Sequence, residues 1–264
     1  MTNNGYFAHF YHGPSTLSEF HVIPMHVVLA IDVGKSMAGP KLTRAKDLAH
    51  VIMNLFDDNF LLNLIVFNEN VTLWRSISVP VDANAVQCNH EVIAEVLEFI
   101  DSLEISSRNV SDMTGAVVQA IDLDHKVRTS GVLPENSLST IILITDGRSG
   151  RCNQTIQRKI VQAIHKANRV RQVPIFSLGV GFDTNMDLLE EISHRTPGGV
   201  AENCREDVHA VSRISALRFH LKDVILKNLQ FKYAGKEFNK NNLTKNKFKF
   251  FHLGSAGNKG GPCL

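Results

Sequence analysis

Two apolar runs that each close on an aspartate constrain this chain more than any other feature. Met25–Asp32 reads MHVVLAID, and residues 139–145 read STIILIT with Asp146 directly after. Runs of this length without polar alternation are strands buried on both faces, as in the middle of a parallel sheet. A third run, VPIFSLG at 173–179, repeats the pattern. Helical period fills the gaps. Residues 41–55 bring Leu42, Ala45, Leu48, Ala49, Ile52 and Leu55 to one face, and residues 91–103, 114–129, 154–168 and 186–194 continue the series. Strands alternating with helices of ten residues or more predict β-α-β units. The expected fold class is therefore α/β, a doubly wound and mostly parallel sheet with helices on both faces. FLLNLIVF at Phe60–Phe67 and VTLWR at 71–75 flank a polar Asn-Glu-Asn turn and predict an antiparallel hairpin at a sheet edge. Pro197, Gly198 and Gly199 stop the helix before them; residues 207–224 read as a last long helix and 226–233 as a strand.

Composition sets the limits around this core. The chain has 264 residues, 44% hydrophobic and 20% charged, which excludes a disordered or fibrous chain. No apolar run approaches the roughly 20 residues that span a bilayer. The first residues carry no basic and apolar leader pattern, which reads either as an intracellular protein or as a piece of a longer one. Three regions are expected: 1–24, aromatic and histidine-rich, outside the repeating pattern; 25–225, the α/β domain; and 226–264, a strand plus a basic tail. The net charge of +2 conceals that tail, where eight lysines and one acid, Glu237, leave seven positive charges in excess. Such a tail is either a solvated lysine-rich face or an attractor of polyanions. Cys88, Cys152, Cys204 and Cys263 form no C-x-x-C pair, so they read as isolated thiols or at most one disulfide rather than a zinc site.

Ligands of open α/β sheets gather at the carboxyl ends of the strands. Two strands deliver Asp32 and Asp146 there, and nearby loops offer Ser36, Ser111, Asp112 and Thr114. Carboxylates with hydroxyls are hard oxygen donors that suit Mg²⁺, Ca²⁺ or Mn²⁺. Each acid alone has an ordinary explanation, since Asp146-Gly147 is a common turn pair and Asp32 could cap a loop. Their joint placement is the stronger signal.

LAIDVGKSM followed much later by IILITDG resembles the metal-ion-dependent adhesion site of a von Willebrand factor type A domain. GYFAHF, FDDNFLLNLIVFNENVTLWR, LPENSLSTIILITDG, FSLGVGFDTNMDLLEEIS and LKNLQFKY narrow the resemblance to the inter-alpha-trypsin inhibitor heavy chains. The likeness covers residues 5 to 233. In that family an N-terminal β-rich domain precedes the A domain, so residues 5–10 would be its last strand. The resemblance implies a secreted glycoprotein, a non-enzymatic binding module of the extracellular matrix. Its partners would be extracellular proteins, glycosaminoglycans such as hyaluronan, and serine-protease inhibitor components. It also implies a bound Mg²⁺ or Mn²⁺. Carried over by position, Asp32 matches the first acid of the Asp-x-Ser-x-Ser motif, Ser36 its second serine, Ser111 the later threonine and Asp146 the later acid. Gly34 replaces the first serine and removes one hydroxyl, while Lys35 and Arg148 bring positive charge beside the site. A metal-independent scaffold with a polyanion-binding tail is the second reading.

Enzymatic patterns are thin. The sequence contains no G-x-S-x-G, H-E-x-x-H or phosphate-binding G-x-x-x-x-G-K-[ST]. A metal-dependent phosphotransferase of the haloacid-dehalogenase type needs a second acid two residues after its first aspartate, where this chain has Gly34. The twelve histidines are scattered and most read as surface or core-edge residues, and Trp74 reads as hairpin packing. Asn70, Asn109, Asn153 and Asn242 each begin an N-x-[ST] triplet and are candidate glycan acceptors. A glycan on Asn109 would crowd a site that uses Ser111.

Overall fold

The computed structural model describes residues 24–75, 85–108, 110–134, 137–148 and 153–204, with the backbone of 231–233 and 236–238. The chain divides into two units, Met1–Lys222 and Asp223–Leu264. In the first, β1 (Met25–Asp32), β2 (Phe60–Phe67), β3 (Val71–Leu73), β4 (Val86–Gln87), β5 (Leu138–Thr145), β6 (Ile175–Val180) and β7 (Val200–Cys204) form one sheet. Its order is β3-β2-β1-β5-β6-β7, with β4 also paired to β2. The pairs β1–β2, β1–β5, β5–β6 and β6–β7 are parallel, and the β2–β3 and β2–β4 pairs are antiparallel. This is the doubly wound sheet with an edge hairpin that the sequence predicts. In the second unit, β8 (Phe231–Tyr233) and β9 (Lys236–Phe238) pair antiparallel.

The helices are α1 (Pro40–Met53), α2 (His90–Ser102), α3 (Met113–Thr129), α4 (Gln154–Ala167) and α5 (Met186–His194). The pleat of β1 sorts its residues between two cores. Val27, Leu29 and Ile31 join Leu48, Ile52, Val96 and Ile100 of α1 and α2. Val28 and Ala30 join Val117, Ile121, Ile164 and Leu189 of α3, α4 and α5. Every residue of β1 is buried, which is why its sequence shows no alternation. Side-chain caps start four of the helices: Asn89, Asp112, Asn153 and Asn185 accept from backbone N–H groups of α2, α3, α4 and α5.

Most element boundaries agree with the sequence reading to within two residues. Three strands were not expected, β9 of the second unit and two in the sheet of the first. β4 has only two residues, and β7, VAENC, is a short polar-bearing edge strand whose pattern carries no run of apolar residues. The helix read at 207–224 lies outside the described residues. Trp74 packs as expected, its ring 6.2 Å from that of Phe99. Among the histidines, His26 departs from the surface or core-edge expectation. It is fully buried, its Nδ1 3.0 Å from Asp124 Oδ1 and its Nε2 2.8 Å from Asn63 Oδ1. The reason is its place on a central strand, where both faces are covered.

Cys88, just after β4, and Cys204, at the end of β7, are both buried. Strand order separates them by β2, β1, β5 and β6, at roughly 4.8 Å per strand, which is too far for a disulfide between these two. Burial, with the charges of Asp57 and Asp58, pushes the Cys88 thiol up to about 12. Cys152 and Cys263 lie outside the described residues. No helix among the described residues is long and apolar enough to cross a membrane.

Candidate functional site at the carboxyl edge of the sheet

β1 and β5 are adjacent and parallel, so Asp32 and Asp146 emerge side by side. Both are buried. Asp32 is held by three donors. Its Oδ1 accepts from Gly34 N–H at 2.8 Å and from Ser111 Oγ at 2.8 Å, and its Oδ2 accepts from Thr145 Oγ1 at 2.6 Å. Burial pushes its carboxyl up to about 6 against the pull of these hydrogen bonds, and the charge of Asp146 adds to the rise. Asp146 Oδ1 accepts from Ser36 Oγ at 3.1 Å and Arg148 N–H at 3.0 Å. The four residues carried over from the motif thus meet, as the pairs Asp32–Ser111 and Ser36–Asp146. Asp112 turns away as the cap of α3, its Oδ1 accepting from Gly115 N–H at 2.8 Å.

Three loops are fixed around these acids. After β1 the chain makes one 3-10 turn, Lys35–Met37, before α1. The loop carrying Ser111 is tied to the hairpin: Asp112 N–H donates to Asn68 O at 2.6 Å, Ser106 Oγ donates to Glu69 Oε2 at 3.0 Å, and Arg108 pairs with Glu69 at 3.3 Å. After β5, Gly147 takes φ +69, and a Cβ there would stand 3.0 Å from Asn185 O. Glycine lets the chain turn at that close approach, where Asn185 N–H donates to Asp146 O at 2.9 Å.

Besides Arg148, positive charge at the site comes from a residue the sequence reading did not single out. Lys35 is exposed, whereas Lys41 of α1 reaches Asp146 Oδ2 at 2.8 Å and Asp183 Oδ1 at 2.6 Å. Burial alone would lower the Lys41 ammonium's pKa, but the hydrogen bonds and charges of Asp146 and Asp183 outweigh it and raise it above the usual lysine value. Lys41, through its hydrogen bond above all, holds the Asp183 carboxyl below the usual carboxylate range. Arg148 Nη1 reaches the other Asp183 oxygen at 2.9 Å.

This arrangement bears directly on a divalent ion. Both oxygens of each acid accept protein hydrogen bonds, a lysine already pairs with Asp146, and position 34 supplies no hydroxyl. Even a serine at 34 would press its Cβ to 3.0 Å from Asp32 Oδ1 and 3.2 Å from Ser111 Oγ. As it stands Lys41 occupies the second oxygen of Asp146, so a divalent ion bound there would have to displace its ammonium. What it offers is a hydrogen-bonded polar platform between loops, with Lys41 paired to Asp146. Two apolar side chains stand exposed beside it in sequence, Phe182 at 75% and Val110 at 57%.

Of the candidate glycan acceptors, Asn70 is exposed at the hairpin turn and Asn153 is exposed as the cap of α4. Asn109 and Asn242 lie outside the described residues.

The family model of the von Willebrand factor type A domain matches residues 25–201. Among curated proteins, inter-alpha-trypsin inhibitor heavy chain H3 from Bos taurus is 29% identical over 96% of this chain, and heavy chain H2 from Homo sapiens is 27% identical over 96%. The chain spans about a quarter of the length of these relatives, 26% and 25%. Among solved structures, a von Willebrand factor type A protein from Catenulispora acidiphila superposes with a TM-score of 0.58 at 16% identity, covering 74% of this chain and 42% of that one. Manganese-loaded TRAP protein from Plasmodium vivax gives 0.51 at 15% identity, covering 72% of each. These two likenesses show the fold.

Proposed function

The chain belongs to the von Willebrand factor type A domain family, and from that premise we propose that it acts as a non-enzymatic extracellular binding module. Its ligand face is the carboxyl edge of the sheet, around Asp32, Ser36, Ser111 and Asp146. The observation that carries this reading is the exposure of Phe182 at 75%, in the loop that also presents Asp183 to Lys41 and Arg148. Aromatic side chains are enriched at binding interfaces, and Phe182 stands exposed in a loop held to the polar ring through Asp183. Lys35, Arg108 and Arg148 are exposed in the surrounding loops, so an acidic protein segment with an apolar residue fits the rim. Relatives named as heavy chains of a trypsin inhibitor favour extracellular protein partners, serine-protease inhibitor components among them. The reading does not require Mg²⁺ or Mn²⁺; an ion held by Asp32, Ser36, Ser111 and Asp146 would have to displace Lys41.

The test is binding to immobilised matrix proteins and inhibitor components by surface plasmon resonance, with Phe182→Ser beside the unaltered chain. Weaker binding by the variant, at unchanged melting temperature, supports the reading. Equal binding by both places the contact elsewhere and overturns it. A second reading rests on the eight lysines after Leu226. There the tail meets a polyanionic glycan such as hyaluronan. That binding weakens steeply as salt rises, is indifferent to chelators and survives Phe182→Ser.

A further inference from the structure

The first turn of α1 contains a lysine and no acid. The partial positive charge of a helix N-terminus disfavours a cation there, so Lys41 sits where local electrostatics resist it. Its side chain nevertheless lies inward, 16% exposed, between two acids from different loops. The path to them is shaped for it. Gly181, at φ +103, runs beside the lysine stem, and a Cβ on Gly181 would come to 2.7 Å from Lys41 Cε. A side chain at 181 would close the route that the stem takes. Gly34, in the loop after β1, supplies no hydroxyl beside those of Ser36, Ser111 and Thr145.

We propose that Lys41 is a tethered cation that neutralises Asp146 and joins α1 to the loops after β5 and β6, so that the carboxyl edge is set without a divalent ion. An ammonium suits the position because its three N–H donors all seek oxygen acceptors, and here two of them meet carboxylates. The lysine is covalently part of the chain, so it needs no free-ion concentration and no chelator removes it. This deepens the reading of the edge as the ligand face, by fixing the source of its positive charge. Ion binding is measured without any partner, so the two ideas fail separately.

The experiment uses the whole chain. Calorimetric titration with Mg²⁺ and with Mn²⁺ is expected to give no saturable heat, and the melting temperature is expected to be the same in millimolar Mn²⁺ and in EDTA. Lys41→Met is expected to lower the melting temperature by about 5 °C, since it leaves Asp146 buried without its cation. NMR of the lysine ammonium groups in the unaltered chain requires no variant. A Lys41 ¹⁵Nζ signal protected from exchange, present in EDTA and unbroadened by Mn²⁺, is expected. Saturable Mn²⁺ binding that disappears in Asp146→Ala overturns the proposal. So does paramagnetic broadening of Lys41 that saturates with Mn²⁺, and so does a Lys41→Met chain that melts with the unaltered one.

Discussion

His26 and Asp124, ninety-eight residues apart, meet at 3.0 Å at the opposite end of β1 from Asp32. Each end of this central strand therefore carries a buried polar contact. At the amino end the contact extends. Ser139 Oγ donates to Asp124 Oδ1, Arg128 Nε donates to Asp124 Oδ2 at 3.2 Å, and Arg128 also donates to Ser137 and Ser139. β1, β2, α3 and β5 are tied together there by polar side chains, where the sheet otherwise packs by apolar contact.

His26→Ala should cost about 2–4 kcal/mol, because it opens space in the core and removes a hydrogen-bond partner from a buried carboxylate. Urea unfolding followed by tryptophan fluorescence measures this through Trp74. A loss below about 1 kcal/mol would show that the contact adds little to the packing around it.

The same cluster gives stability a dependence on acid. Burial alone would raise the Asp124 carboxyl, but the hydrogen bonds from His26 and Ser139 and the Arg128 guanidinium outweigh it and hold it below the usual value. A carboxyl depressed in the folded state contributes fully above its unfolded pKa, about 3.9, and that contribution is lost as pH falls through the lower folded value. Asp124→Asn should thus be less stable than the unaltered chain near neutral pH, and the gap should narrow below pH of about 4. Melting temperatures of both chains over that range decide it; a constant gap would contradict the account.

Restoring the motif's serine should not restore an ion site while Lys41 remains. Gly34→Ser brings a Cβ to 3.0 Å from Asp32 Oδ1 and 3.2 Å from Ser111 Cβ, tighter than ordinary packing. A cost of about 1 kcal/mol and an unchanged response to Mn²⁺ are expected, read by melting in Mn²⁺ and in EDTA. A variant stabilised by Mn²⁺ would show that the hydroxyl, rather than Lys41, governs ion binding.

Asn70 is exposed at the hairpin turn, its N–H donating to Asn68 Oδ1 at 2.8 Å, and Thr72 is exposed on β3. Expressed through a secretory pathway, the chain should carry a glycan there. Mass spectrometry with and without peptide N-glycosidase is expected to show a loss absent in Asn70→Gln. An unmodified Asn70 in secreted protein would refute the assignment.

The parts of the site legible in the sequence are those that a local pattern announces. An acid after an apolar run marks the end of a buried strand, and this located Asp32 and Asp146. The family resemblance added Ser36 and Ser111, and the structure joins both to those acids. Thr145 was hidden because it reads as the last residue of an apolar strand, yet its hydroxyl holds Asp32. Lys41 was hidden because a lysine near a helix start looks like a solvated residue. The one available signal was its unfavourable place in the first turn of α1.

The order of strands and helices, the two buried faces of β1 and the caps of α2 to α5 were determined by the sequence itself. These depend on periodicity and on side chains within a few residues of the backbone groups they serve. The tertiary structure alone decided which charges pair across elements. His26 meets Asp124 because α3 packs on β1, and Lys41 meets Asp146 and Asp183 because the parallel crossovers place the ends of β5 and β6 side by side. A buried charge must find its counter-charge wherever the packed chain brings one, and that distance in space is not written in the spacing along the chain.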